Sequence, residues 1–222
     1  MKLDEFRTAN EPIEGGDTFQ LGNSKLLDID LDGAVMARAG SMIAYSGEIS
    51  FAGKASAEGG ITGFLKNAAT GEGTPVMEAS GDGHLYLADQ GKRVQIIELD
   101  ADEELSVNGN DVLAFESRVD YEIRTIDSIA ASSTGGLTNV FLSGPGTVAI
   151  TTHGDPLVLT PPVRTDPDAT VAWSGATSPT GSVNRSLSDL VGQSSEETYQ
   201  LEFTDPEGFV IVQPFEEGYP QQ

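Results

Sequence analysis

The sequence predicts an all-β protein, on three observations. Apolar and polar residues alternate with a period of two along much of the chain; in KLLDIDLD, Leu27, Ile29 and Leu31 face one way while Asp28, Asp30 and Asp32 face the other. Glycine- and asparagine-rich turn signals separate these runs at short intervals. One order of elements also recurs three times. VMEASGDGHLYLAD, VFLSGPGTVAITT and LEFTDPEGFVIVQP align on Gly83, Gly146 and Gly208, roughly 60 residues apart, a spacing that fits one supersecondary unit.

Strands follow in order in GHLYLAD, KRVQIIELD, ELSV, DVLAF, DYEIRT, GTVAITT, PLVLT, ATVAW, TYQLEF and GFVIVQP. Hairpins are expected at Val107-Asn108-Gly109-Asn110-Asp111 and at His153-Gly154-Asp155-Pro156. Each repeat holds a segment able to form one or two helical turns, GGITGFLKNAAT, DSIAASSTGG and RSLSDLVGQ, and upstream of it AGSMIAYSGEISF, DVLAFESRVDYEI or ATVAWSGATSPTGSV. FQLGNSKLLDIDLD at the start matches LADQGKRVQIIELD, and GFVIVQP at the end supplies only the beginning of a further unit. That phase predicts ring closure about a pseudo-threefold axis, with the first and last strands near one another. The expected architecture is three pseudo-symmetric β-sandwich repeats packed as one compact domain with a few short helical turns. The approximate units are 15–75, 76–140 and 141–214, with tails at 1–14 and 215–222.

Composition narrows the function classes. The chain has 222 residues, 38% of them apolar, enough to bury a core. It carries 12 basic and 35 acidic residues, a formal charge of -23, with no long block of like charge. Such a field repels phosphate backbones and anionic lipid, so nucleic acid is disfavoured as a partner. Acidity at this density with few lysines fits hydration in concentrated salt, the composition of a halophile. Cysteine is absent, which removes disulfides, thiol catalysis and thiolate metal sites. The start MKLDEFRTANEP has no apolar leader core and no run approaches a membrane span, so a cytoplasmic location is expected.

The series GAVMARAGSMIAYSGEISF, GGITGFLKNAATGEG, SGDGHLYLAD, NDVLAF, GLTNVFLSGPGTVAI and VIVQP, from about Gly15 to Pro214, resembles the altered inheritance of mitochondria protein 24 type, a mitochondrial biogenesis family. The resemblance implies a β-sandwich fold similar to the tryptophan RNA-binding attenuator protein, of the double-stranded β-helix type, repeated within the subunit. It implies no assigned activity for prokaryotic members and an assembly or scaffold role for mitochondrial ones. The chain departs from the pattern at Asp205-Pro206-Glu207-Gly208, where a glycine-any-glycine step is expected.

Within these motifs, Gly81, Gly83, Gly144 and Gly146 read as corners where positive φ or close backbone approach is needed. Gly40-Ser41-Met42 bends the chain so that Met42 fills a gap at a unit junction. Asp28, Asp30 and Asp32 begin a calcium loop, but its twelfth position is Ala39, so three carboxylates on a solvated strand face are expected instead. His84 beside a corner and His153 in a turn have no second ligand at metal spacing. Glu72, in Gly71-Glu72-Gly73, reads as an acceptor for backbone N–H groups or as a buried acid or base. Tyr45, Phe115 and Trp173 stand at corresponding strand ends and, with Tyr86, read as core packing before a ligand wall. No catalytic, cofactor-binding or metal-ligating residue is assigned, and no cofactor. A non-catalytic scaffold or protein-interaction protein, self-associating as a homo-oligomer or binding another protein, is expected. A small-ligand binding module with a pocket between the β units is the alternative, with RNA binding behind both.

Overall fold

A computed structural model describes residues 1–12, 16–53, 76–126, 137–183 and 199–217. The three segments expected to form helical turns, and Glu72, lie outside the described residues. Strand formation follows the alternation read above. The strands are β1 Phe19–Asn23, β2 Leu26–Arg38, β3 Met42–Gly53, β4 Val76–Leu87, β5 Arg93–Leu99, β6 Glu104–Asn108, β7 Val112–Glu116 and β8 Asp120–Ile126. They continue as β9 Leu137–Ser143, β10 Gly146–Thr152, β11 Leu157–Leu159, β12 Val163–Thr165, β13 Thr170–Ser174, β14 Thr180–Val183, β15 Tyr199–Phe203 and β16 Val210–Val212. One exposed helix, α1 Leu3–Ala9, precedes them, and a 3-10 turn spans Pro167–Ala169. No helix among the described residues is long and apolar enough to cross a membrane.

Hydrogen bonding groups the strands differently from the expected units 15–75, 76–140 and 141–214: Val76–Leu87 pairs back on Leu26–Arg38, and Gly146–Thr152 on Arg93–Leu99, so each boundary falls a strand later because a strand sits with its ladder partner. Three antiparallel modules emerge, β2–β4, β5–β10 and β11–β16. In the first, β4 pairs with β2 on one side and β3 on the other. In the second, β10 lies between β5 and β7 while β9 lies between β6 and β8. In the third, β16 lies between β11 and β13 while β15 lies between β12 and β14. The long strands β2, β3 and β4 are therefore each replaced by two shorter ones in the later modules.

The glycine corners account for that continuity. At Gly81 and Gly83, both at φ +142°, an added Cβ would sit 1.9 Å from the Glu48 carbonyl oxygen and 2.0 Å from that of Ser46. No side chain fits there, so β3 packs directly on the backbone of β4. The third corner differs, as its sequence departs: Glu207 N–H donates to Asp205 Oδ1 and Gly208 N–H to the Asp205 carbonyl, so a turn separates β15 from β16.

Two expected hairpins are corrected. Asn108 and Asp111 close a turn through Asp111 N–H to the Asn108 carbonyl, but β6 and β7 belong to different sheets and do not pair. Strands β10 and β11, flanking His153-Gly154-Asp155-Pro156, are likewise in different sheets. In each case both flanking strands find partners elsewhere, so the turn carries the chain across a sandwich edge; turn chemistry specifies the bend and not the ladder.

Sheets run across module boundaries. The first sheet is ordered β3-β4-β2-β7-β10-β5, joining module one to half of module two through Val35–Ala37 and Ala114–Glu116. The second is ordered β11-β16-β13-β6-β9-β8, joining the remainder of module two to half of module three through Leu105–Val107 and Ala172–Ser174. The third holds only β12-β15-β14. Apolar cores follow the same plan: one built on module one takes in Leu113 and Ala114 of β7, and one built on module two takes in Val171 and Ala172 of β13. A smaller core of Trp173, Leu201, Phe203 and Val210 lies in module three.

Candidate functional site

Two places stand out in the repeat: the open edge of β3, and an ionic junction where the chain leaves the last strand of each module. The edge is defined by one feature that all three modules share. Met42 pairs with Leu87 and Ala44 with Tyr86, so Ile43 is an extra residue in its strand. Leu113 is the extra residue between Val112–Ile150 and Ala114–Ala149, and Val171 between Thr170–Val212 and Ala172–Ile211. A β-bulge thus stands at the same point of each module, and re-aims the same triplet: Ile43-Ala44-Tyr45, Leu113-Ala114-Phe115, Val171-Ala172-Trp173.

Their surroundings differ sharply. Leu113, Ala114 and Phe115 are completely buried and so, to within 1%, are Val171, Ala172 and Trp173. Ile43 is 58% exposed and Tyr45 49%. The later triplets are covered because β7 and β13 each pair with the preceding module, whereas among the described residues the outer edge of β3 pairs with no strand. Expected core packing therefore holds for Phe115 and Trp173 and fails for Tyr45; Met42, expected to fill a junction gap, is 38% exposed for the same reason. Tyr45 instead packs edge-on against Phe51, also on β3, at 5.3 Å between ring centres.

At the ionic junction, Lys92 between β4 and β5 is buried and its Nζ lies 2.8 Å from Asp111 Oδ1, against Glu217 Oε1, and 3.8 Å from Asp89 Oδ2. Arg38 reaches Asp89 at 2.9 Å and donates to the Asn110 carbonyl. From module two, His153 stacks on Phe215 with 4.0 Å between ring centres, and the His153 backbone N–H donates to Gln213 Oε1. Gln213 in turn donates to Glu217 Oε1. Burial opposes the charge on Lys92, yet Asp111 and Glu217 outweigh it and raise the ammonium above its usual value. Asp111 is so deeply placed that burial, against the pull of Lys92, lifts its carboxyl to about 7; its Oδ2 has no hydrogen-bond partner among the described residues. Glu217 is pushed up by burial but held by Lys92 below its ordinary value, and burial with nearby Lys92 lowers His153. A cavity of about 510 Å³ opens beside this cluster, lined by Arg38, Asp89, Gln90, His153, Phe215 and Glu217 among others.

The remaining candidates are dispersed. Asp30 and Asp32 are exposed on β2 as expected, but Asp28 is buried, which corrects the reading of three solvated carboxylates. It sits between β1 and β4, opposite Gln20 and Tyr86, and its oxygens are taken by Gln20 Nε2 at 3.2 Å and His84 Nδ1 at 3.0 Å. Strand alternation sets which face a side chain is on; it does not say whether neighbouring strands cover that face. Tyr86, stacked on His84, has its hydroxyl pKa raised by burial and then by Asp28. Among the described residues no three His, Asp or Glu converge as metal ligands. Sequence reading missed Lys92, Asp89, Asp111 and Glu217. The signal available was thin: a lysine in a chain with only 12 basic residues, placed at a repeat boundary.

Modules sharing sheets across their boundaries, a bulge repeated at one register and glycine corners define a triplicated antiparallel β-sandwich protein. The family model described as mitochondrial biogenesis AIM24 matches residues 19–215, and the chain belongs to that family. Its fold is similar to the crystal structure of protein SPYM3_0169 from Streptococcus pyogenes, at TM-score 0.67 and 21% identity, over 90% of this chain and 93% of that one. No curated protein matches the chain.

Proposed function

We propose that this protein is a non-catalytic assembly protein that works through the open edge of β3. The observation that carries this reading is the exposure of Ile43 and Tyr45 on a strand whose outer edge has no partner among the described residues, where both repeat equivalents are buried between two strands. An open strand edge offers N–H and C=O groups to an incoming strand, and exposed apolar side chains beside it add burial once it is covered. The junction, by contrast, spends its charges on one another: Lys92 and Arg38 are both engaged by carboxylates. A photoreactive residue at Ile43 should give a discrete covalent adduct in extract of the producing cells, while the same residue at exposed Asp30 gives none. Absence of any adduct specific to position 43 contradicts the reading.

A second reading is favoured by the junction cavity. A small polar molecule seated there would meet Arg38 on one side and the His153–Phe215 stack on the other, at a boundary between β modules. A thermal-shift screen of carboxylates, sugars and nucleotides should then raise the melting temperature of the native chain but not that of Arg38→Ala. Equal responses of the two place the ligand elsewhere.

A further inference from the structure

The geometry points to a second copy of this chain as the occupant of the β3 edge, docked through its β12 strand in a defined register; this rests on the reading of β3 as an assembly edge. Two of the three module boundaries are bridged by strand pairing inside the chain, and they share one register. Ala37 pairs with Ala114, Met36 with Phe115 and Val35 with Glu116. Val107 pairs with Ala172, Ser106 with Trp173 and Leu105 with Ser174. Within the modules, Val35, Leu105 and Val163 are equivalent, because they pair respectively with Ala79, Leu142 and Phe203 at the same place in the ladder. The third contact is therefore specified: Thr165 opposite Ala44, Arg164 opposite Tyr45 and Val163 opposite Ser46.

Both halves of that contact are present in the chain. Sheet three ends at β12 and sheet one ends at β3, and neither outer edge pairs with a strand among the described residues. Beside β12 lies a groove of about 380 Å³ lined by Pro162, Val163, Arg164, Glu202 and Phe203. Among the described residues module three's core is the smallest, its Val163 and Val212 only partly buried, and the first two residues of each later triplet, Leu113-Ala114 and Val171-Ala172, lie in the core of the module before them, while Phe115 and Trp173 lie in their own. Ile43 and Ala44, the equivalent pair in module one, lie in none of these cores among the described residues. Arg164, bonded to Glu202 at 2.7 Å and largely exposed, would lie over the Tyr45 ring, a favourable cation–aromatic pairing. Every chain carries one free edge of each kind, so the contact is head-to-tail and can recur from copy to copy.

The chain has no cysteine, which makes a disulfide test specific. Tyr45→Cys and Arg164→Cys, both at exposed positions, are made on separate chains, mixed in high salt and oxidised. A disulfide-linked pair of unlike chains should form at least tenfold faster than with Phe51→Cys in place of Tyr45→Cys, which is off register. Equal rates overturn the proposal. So does a double variant Tyr45→Cys/Arg164→Cys that oxidises to a cross-linked single chain at every concentration, because β12 of the same chain would then be the partner. Independently of these substitutions, the unaltered chain should sediment above the mass of one chain in 1 M salt and Ile43→Lys at that mass. Sedimentation of both as single chains refutes self-association. A position-43 photo-adduct holding a different protein, with no unlike-chain disulfide, ends this proposal and leaves the assembly reading standing.

Discussion

At the residue scale, burial decides what a charge does. Lys92 and Asp111 are both more than nine-tenths buried and pair at 2.8 Å, yet Asp111 is left with an oxygen that has no hydrogen-bond partner among the described residues and a carboxyl pKa of about 7. Between its ordinary 3.8 and about 7, the unfolded chain has released a proton that the folded chain keeps, so the Asp111 contribution to stability falls as pH rises across that window. Glu217 has the opposite sign, its lowered pKa giving a contribution present above the ordinary 4.5 and lost as pH falls through its folded value. Asp111→Asn should therefore flatten the decline between about pH 4 and 7 in urea midpoints measured across pH. An unchanged slope means that Asp111 is ionised in the folded chain throughout.

At the element scale, the bulge makes one sequence position mean two things. Leu113 and Ile43 hold the same place in β7 and β3, but the first is packed beneath β2 and the second faces outward. Removing buried methyl groups costs transfer energy and leaves a cavity, so Leu113→Ala should destabilise by about 2–5 kcal/mol. Ile43→Ala should change the denaturation midpoint of the single chain little, within about 0.5 kcal/mol, as at other exposed sites. Similar losses at both positions would show that β3 is covered in the isolated chain. The bulges were not legible in GSMIAY, DVLAF and ATVAW taken singly, because a bulge is a relation between two strands. Their common alanine-aromatic step was legible, and placed Tyr45, Phe115 and Trp173 in register.

At the scale of the whole molecule, a formal charge of -23 opposes contact between copies. Screening shortens that repulsion from a range of about 10 Å at 0.1 M salt to about 3 Å at 1 M, while the apolar and hydrogen-bonded parts of an edge contact are little affected. Association should accordingly strengthen with salt, the reverse of a contact held by opposite charges. Sedimentation velocity from 0.1 to 3 M KCl checks it, and weakening with salt would assign the contact to ion pairs such as one with Arg164. Ring closure was expected from the phase of the repeat. Hydrogen bonding joins the modules across two boundaries, and among the described residues no ladder crosses the third, so strand pairing there forms an open series and not the expected ring.

Alternation, turn residues and the triplicate order determined by themselves that the chain is an antiparallel β protein and where its glycine corners fall, since these are properties of local periodicity and spacing. Tertiary structure alone decided which strands pair, that Asp28 is covered while Asp30 is not, that Lys92 gathers Asp111 and Glu217 from 19 and 125 residues away, and that one of three matching triplets stays uncovered. Each of these depends on a neighbour supplied by a distant part of the chain, and no local pattern encodes its presence.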